Sequence, residues 1–288
     1  MRLPYLLAPL ASLALLAAPA NALTSTEMAL TSANGFALKG TLTLPEAKGK
    51  VPVVILAHQF RSDRSGWNPL VERLAARGIG TLALDLRGHG ASTMRSGVEV
   101  PVSADFITSA KEVGFDFIPG DLAQAATWLR LQTKVDGRRI GLAGSSVGAL
   151  SVLLAAPSIK PVAVLCLSPA GNAAFGEGTR KTLKGAVARG KATTLVLASH
   201  SDKEAYENAL ALKDLPGVFL ELMEGDEHGF AYFKEHADLM AVFFGEYLTY
   251  HHTGKTYAAS AAKKPATPGN LINDQTLADK KKAVDASK

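Results

Sequence analysis

Short apolar segments alternate along this chain with stretches in which apolar residues recur every three or four positions. The apolar segments have the length of buried strands, and the periodic stretches have the spacing of helices that bury one face. The predicted strands span residues 51–57, 81–85, 139–143, 162–167, 194–198 and 218–223. The predicted helices span residues 65–77, 121–131, 149–156 and 230–248.

This order of elements predicts an α/β fold. Fully apolar strands that alternate with helices form a mostly parallel sheet with helices on both faces. Two alternating segments within residues 27–44, divided by Ala33-Asn34-Gly35, predict an N-terminal antiparallel hairpin at one edge of that sheet. The one long connection, residues 88–120, is expected to form a rim over the site. No segment is long enough for a separate lid domain, so we predict a single domain over residues 23–250.

The N-terminus differs in character from this domain. A positive residue, an apolar run over residues 3–18 and small residues before a cleavage site after Ala22 are typical of a secretory signal peptide over residues 1–22. A membrane anchor is the alternative, but prolines interrupt the run and it is shorter than the roughly 20 residues of a span. Leu23 rather than cysteine follows the expected cleavage site, so we expect no lipid anchor. We therefore expect an exported protein, periplasmic or extracellular, without stable membrane insertion.

Charge and cysteine content exclude other classes of protein. The formal net charge is +5, but residues 23–250 hold 23 Lys+Arg and 23 Asp+Glu. The excess lies mainly in residues 251–288, an Ala- and Lys-rich stretch with seven lysines and three aspartates that we predict to be a disordered tail. A neutral domain does not indicate nucleic-acid binding. Because Cys166 has no second cysteine to pair with, disulfides play no structural part.

The segment Gly144-Ser145-Ser146-Val147-Gly148 contains the pattern G-x-S-x-G. It follows a predicted strand and precedes a predicted helix of small residues. In that context the central serine sits on a sharp turn and points above the sheet, and side chains at the outer glycines would collide with neighbouring backbone. Ser146 is therefore the candidate nucleophile. The alternative is an ordinary glycine- and serine-rich helix start.

A serine hydroxyl becomes a nucleophile only when a base removes its proton, and an acid holds that base in place. Sites of this kind follow the chain order Ser, then Asp or Glu, then His. His228 lies just after the last predicted strand, at the sheet edge where ligands bind, and is the candidate base. His236 in the closing helix, and His251 and His252 in the tail, fit the role less well. The alternative for His228 is an exposed loop histidine without a role.

The candidate acid is Asp202, which follows the fifth apolar strand and so reaches the same edge of the sheet. A structural alternative competes with this interpretation. Ser201 and Glu204 have the spacing of a capping box, so Ser201 or Asp202 could merely cap the next helix. Asp226 and Glu224 are the fallback acids.

An oxyanion hole needs two backbone N–H groups that point at the developing negative charge. Val147, directly after the candidate nucleophile, should supply one of them. The loop after the first buried strand, His58-Gln59-Phe60, should supply the other, and we favour the N–H of Phe60. His58 is expected to be a structural hydrogen-bonding group at the strand end.

The stretch Asp85-Leu86-Arg87-Gly88-His89-Gly90-Ala91-Ser92 resembles the D-x-R-G-x-G-x-S turn of many α/β-hydrolases. With Ser146, the His228-Gly229-Phe230 segment and the strand order, the resemblance covers about residues 27–248. The chain is most similar to the dienelactone hydrolase-like, serine esterase branch of the α/β-hydrolase superfamily. It implies that fold and a scaffold role for Arg87 and His89. Two residues depart from the family's pattern. Gln59 stands where a glycine often follows the histidine, here His58, and the candidate nucleophile is a serine where that branch usually has a cysteine.

Together these expectations describe a secreted serine hydrolase. It would cleave small-molecule carboxylic esters through a triad of Ser146, His228 and Asp202 and an acyl-enzyme, with no metal or other cofactor. A peptidase or amidase on the same fold is one alternative. A catalytically inactive envelope binding protein is another, supported only by Gln59 and the basic tail. The sequence assigns neither the acyl and alcohol groups nor an oligomeric state.

Overall fold

The computed structural model describes residues 22–249. Apart from Ala22, the predicted signal peptide (1–22) and the predicted tail (251–288) lie outside the described residues. The strands are β1 (Leu23–Thr31), β2 (Ala37–Pro45), β3 (Val51–Ala57), β4 (Gly80–Asp85), β5 (Met94–Arg95), β6 (Val98–Glu99), β7 (Val135–Ser145), β8 (Ala163–Leu167), β9 (Thr193–Ser199) and β10 (Val218–Met223). The α-helices are α1 (Asn68–Ala75), α2 (Phe106–Ser109), α3 (Ile118–Arg130), α4 (Val147–Ile159), α5 (Thr179–Gly190), α6 (Lys203–Leu212) and α7 (Phe233–Thr249).

The main sheet has eight strands in the order β1-β2-β4-β3-β7-β8-β9-β10. All neighbours from β4 to β10 in that order run parallel, whereas β1 pairs antiparallel with β2, and β2 antiparallel with β4. The predicted parallel sheet with an antiparallel hairpin at one edge is therefore confirmed.

Helices cover both faces of this sheet, as predicted. The side chains of β3 alternate between two cores: Val53 and Ile55 pack with α3 and α4, while Val54 and Leu56 pack with α1 and α7. All seven residues of β3 are buried. Because both faces are covered, a polar residue on either side of this strand would lose its hydration. Within the described residues, no helix is long and apolar enough to cross a membrane.

The structure adds helical segments that the sequence pattern did not predict. Helix α5 buries only Leu183, Ala186 and Val187 among its apolar side chains, too few for a helical period to stand out. The rim over residues 88–120 contains the two-stranded ribbon β5–β6, helix α2, and short π-helical and 3₁₀ turns before α3. Each of these elements has at most five residues, so its apolar positions cannot form a recognisable period.

The turn at Asp85–Ser92 is part of the scaffold, as the resemblance implied. Arg87 is buried and forms two hydrogen bonds with Asp121 of α3, from Nε to Oδ2 and from Nη2 to Oδ1, each 2.7 Å. The guanidinium also lies over the rings of Phe36 and Phe117, at 5.1 and 5.3 Å. Burial raises the pKa of Asp121, and the Arg87 guanidinium opposes that shift. This ion pair ties the turn after β4 to the helix that leads into β7.

Asp121→Ala tests the structural role of this ion pair. Removal of the carboxylate leaves the Arg87 charge buried without a partner, so we expect the free energy of unfolding to fall by about 3–5 kcal/mol. The control is Asp238→Ala at the exposed Arg73–Asp238 pair, where side chains are 39% and 81% exposed; we expect a loss of about 1 kcal/mol or less. Denaturant titration of the three proteins measures both values. Equal losses in the two variants would contradict the assignment.

Candidate active site

Ser146 lies on the sharp turn between β7 and α4. Its φ of 55° and ψ of −119° are rare for a residue with a side chain, so the surrounding structure must hold it. The Ser146 N–H donates to the carbonyl of Leu167 at the end of β8 (2.8 Å), and the Ser146 carbonyl accepts from the Ala149 N–H (2.9 Å). The serine is half-buried, at the carboxyl edge of the sheet.

The two outer glycines of the turn are in direct contact with backbone. A Cβ at Gly144 would lie 2.3 Å from the carbonyl oxygen of Gly148, and a Cβ at Gly148 would lie 2.3 Å from the carbonyl oxygen of Ala57. The structure thus confirms that side chains at both positions would collide with main chain. It also shows that the first turn of α4 rests on the end of β3, where the candidate oxyanion loop begins.

His228 and Asp202 are brought together at the same edge. His228 lies in the loop between β10 and α7, and its Nδ1 is 2.7 Å from Oδ2 of Asp202. The Asp202 side chain is 14% exposed and the imidazole is 40% exposed. Neither fallback acid, Asp226 or Glu224, is hydrogen-bonded to this imidazole in the described part of the chain.

The capping alternative for Asp202 is wrong. Asp202 is the residue before α6, but its side chain makes no hydrogen bond with the helix N-terminus. Glu204 does not close a capping box either, because its carboxylate accepts hydrogen bonds from the N–H groups of Gly171 (3.0 Å) and Asn172 (2.8 Å). The Asp202 carboxylate is therefore free to hold the imidazole.

Buried hydroxyl groups hold the loop that carries His228. The Tyr232 hydroxyl donates to the carbonyl of Glu227 (2.9 Å), and Ser168 accepts from the N–H of Gly229 (3.0 Å). Ser199 connects to the same Tyr232 hydroxyl at 2.9 Å. Burial raises the pKa of Tyr232, so its hydroxyl remains a donor. Sequence reasoning missed these groups, although Ser168 and Ser199 stand at the ends of predicted strands and were open to the same argument as Asp202.

His58 fixes the peptide that carries the Phe60 N–H. Burial, reinforced by neighbouring His89, lowers the pKa of His58 to about 3, so the ring is neutral. Its Nε2 accepts from the N–H of Leu86 (3.0 Å); Nδ1 must then carry the proton and donate to the carbonyl of Gln59 (2.8 Å). In a trans peptide the C=O and N–H point in opposite directions. The bond to the Gln59 carbonyl thus turns the Phe60 N–H away from His58.

Both candidate oxyanion donors are available. The Phe60 N–H has no acceptor among residues 22–249. Val147 is the first residue of α4, where backbone N–H groups have no partner within the helix. Because α4 rests on the end of β3, the two amides belong to adjoining segments. The geometry is compatible with the predicted oxyanion hole.

The structure brings the elements of Ser146 and His228 together but does not join the two side chains. No hydrogen bond connects the Ser146 hydroxyl with the His228 imidazole in the region that the structure describes. Instead, the Gln59 side chain joins residues close to each of them in the chain: its Oε1 accepts from the Ser145 hydroxyl (2.9 Å) and from the Phe230 N–H (3.1 Å). Contacts between nucleophile and base are often long in unliganded enzymes and tighten when substrate binds.

A cleft of about 410 Å³ lies between the loop after Phe60 and the rim. Its lining includes Arg61, His89, Thr93 and Ser103, so the long connection over residues 88–120 does contribute a wall beside the candidate oxyanion loop. Among the described residues, no three His, Cys, Asp or Glu side chains gather into a set that could hold a metal ion.

Comparison with known proteins identifies relatives. Residues 54–279 match the model of the alpha/beta hydrolase family. An acetyl xylan esterase from Thermoanaerobacterium sp. has a similar structure, with 19% identity, a TM-score of 0.60, and coverage of 78% of this chain and 88% of that chain. A dienelactone hydrolase from Anabaena variabilis is similar at 22% identity, with a TM-score of 0.58 and coverage of 78% and 99%. These likenesses show a shared fold.

A relative by sequence is an uncharacterized 31.7 kDa protein from the traX-finO intergenic region of Escherichia coli. It is 30% identical over 117 residues, which is 40% of this chain. The match spans 36% of that protein's length, so it concerns only a part of either protein.

The buried neutral His58 makes stability depend on pH. The unfolded chain, with an ordinary imidazole pKa, binds a proton that folded His58 does not, so stability is full above about pH 6.5 and falls as pH approaches 3. Between about pH 7.5 and about pH 4 we expect His58 to account for a loss of about 3 kcal/mol. Urea unfolding at both pH values should show a flatter dependence for His58→Asn than for the wild type. The exposed His200→Asn is the control, and an unchanged slope in His58→Asn would refute this.

Proposed function

Since the chain belongs to the alpha/beta hydrolase family, we propose that it is a serine hydrolase that cleaves carboxylic esters. The observation that carries this proposal is the hydrogen bond between Asp202 Oδ2 and His228 Nδ1. That bond places the proton on Nδ1 and leaves Nε2 free as a base, which is the form of the imidazole that a serine nucleophile requires.

In the acylation step, His228 Nε2 takes the hydroxyl proton of Ser146 as Ser146 Oγ attacks the carbonyl carbon of the ester. The carbonyl oxygen becomes an oxyanion, which accepts hydrogen bonds from the N–H groups of Phe60 and Val147. Asp202 stabilises the imidazolium that forms. The intermediate collapses when the bond to the alcohol breaks, and His228 delivers its proton to the departing alcohol oxygen. The acyl group then remains on Ser146.

Deacylation repeats these steps with water. His228 removes a proton from a water molecule as that water attacks the acyl carbon, and the same two amides hold the second oxyanion. When the bond to Ser146 breaks, the proton returns from His228 to Oγ and the carboxylic acid leaves. The enzyme is regenerated without any group beyond its own side chains and backbone.

Two further observations support serine and ester chemistry. Cys166 lies in β8, fully buried, and burial raises the pKa of its thiol, so it is no competing nucleophile. Similar structures include the acetyl xylan esterase and the dienelactone hydrolase named above. The ester part of the proposal follows the activities that the names of these two proteins state.

Ser146→Ala tests the proposal. We expect a fluorophosphonate probe to label the wild type at Ser146 and not the variant. Hydrolysis of an aryl ester should fall by about 10³-fold or more, because the hydroxyl is the attacking group. Mass spectrometry locates the label, and initial rates give the loss.

The matched control is Ser158→Ala, at an exposed serine on the same helix α4. It should keep both labelling and turnover. Label on Ser146→Ala, or an unlabelled but folded wild type, would overturn the serine mechanism. Faster cleavage of a matched anilide than of the ester would favour an amidase instead.

A further inference from the structure

One side chain joins the turn of the candidate nucleophile to the loop of the candidate base. Gln59 lies two residues after the end of β3, and its Oε1 accepts hydrogen bonds from the Ser145 hydroxyl and the Phe230 N–H. Ser145 directly precedes Ser146, and Phe230 follows His228 by two residues. A single oxygen atom therefore connects the two segments whose separation determines whether a proton can pass between them.

The loop is packed closely around this oxygen. A Cβ at Gly229 would lie 2.1 Å from Gln59 Oε1 and 2.5 Å from the Ser145 hydroxyl oxygen. Gly229 also has a φ of +58°, which favours glycine. Because Gly229 has no side chain, the loop next to His228 can approach the Gln59 side chain this closely.

The other hydrogen bonds that hold the loop of His228 do not reach the turn of Ser146. Ser168, at the end of β8, holds the Gly229 N–H, and Tyr232 holds the Glu227 carbonyl. These bonds fix the loop to the end of β8 and to the short helical turn that precedes α7. In the described part of the chain, the side chain that bonds both the serine turn and the histidine loop is Gln59.

The main chain of Gln59 serves the same site. Its carbonyl accepts from His58 Nδ1, and the N–H of that same peptide unit, on Phe60, is the proposed oxyanion donor. A glycine at this position would keep the peptide but leave the Ser145 hydroxyl and the Phe230 N–H without their acceptor.

We propose that Gln59 is a positioning residue that sets the relative placement of Ser146 and His228 through its side-chain oxygen. This inference rests on the proposed function. It implies that loss of the oxygen slows the chemical steps, while substrate binding is little affected. Misplacement of a reacting group by about 1 Å can lower a rate by about 10²-fold, which sets the scale of the expected effect.

The experiment compares Gln59→Met and Gln59→Glu with the wild type. Methionine has a similar length but no oxygen, whereas glutamate keeps an oxygen that can accept from both donors. The rate is measured with an aryl ester and expressed per active site, with sites counted by fluorophosphonate labelling, so that loss of folded protein does not appear as a lower rate. Gln132→Met is the matched control, because Gln132 is another hydrogen-bonded amide (Nε2 to the Trp128 carbonyl, 3.0 Å), outside the site.

We expect kcat per site of Gln59→Met to fall about 10²-fold with KM changed by about 3-fold or less, and Gln59→Glu to recover most of the loss. Gln132→Met should keep the wild-type kcat. If Gln59→Met does not fold, Ser145→Ala, which removes one of the two donors, should still lower kcat per site by about 10-fold.

Two results would overturn the inference. One is a wild-type kcat per site in Gln59→Met, or in Ser145→Ala should that variant be needed. The other is a Gln59→Glu variant as slow as Gln59→Met, since the side-chain oxygen would then not be what sets the placement of Ser146 and His228. Both differ from failure of the proposed function, in which the wild type itself would neither react with the probe nor hydrolyse the ester.

Discussion

The contact between the start of α4 and the end of β3 is the constraint on which the site depends. At Gly148 the helix backbone lies against the Ala57 carbonyl so closely that a methyl group does not fit. This contact forces the sharp turn at Ser146 and keeps its unusual backbone angles. It also brings the N-terminus of α4, with the N–H of Val147, beside the loop that carries Phe60. This steric condition places the candidate nucleophile and the Val147 amide beside that loop, where the His58 hydrogen bond orients the peptide of Phe60.

Buried polar groups join the segments around that contact, and nearly all of them in the described residues have partners. His58 Nε2 connects the end of β3 to Leu86 after β4, its Nδ1 holds the Gln59 carbonyl, and Arg87 pairs with Asp121. A buried polar group without a partner would cost more than it contributes, so such groups restrict the backbone to the arrangement that satisfies them. We infer that this restriction, rather than added stability, is their main effect near the site.

The sequence predicted the sheet well because its signal is local. The run at Val51–Ala57 is apolar throughout since both faces of β3 are covered, and the strand has the predicted bounds. Candidate residues at strand ends could be predicted for the same reason, as parallel strands bring their carboxyl ends to one edge. The direction of the Asp202 side chain could not be predicted, because a helix cap and an imidazole compete for the same carboxylate at nearly the same place. Nor could the role of Gln59, whose donors lie far away in the chain at Ser145 and Phe230.

In the proposed mechanism, Ser146, His228 and the amides of Phe60 and Val147 act on one reacting group. The most direct test is a crystal structure of the protein after reaction with a fluorophosphonate, whose tetrahedral adduct resembles the acylation intermediate. We predict phosphorus bonded to Ser146 Oγ, the phosphonyl oxygen about 2.7–3.1 Å from both amide nitrogens, and His228 Nε2 within hydrogen-bonding distance of the adduct. An adduct whose oxygen points away from both amides, with the imidazole turned aside, would contradict the account.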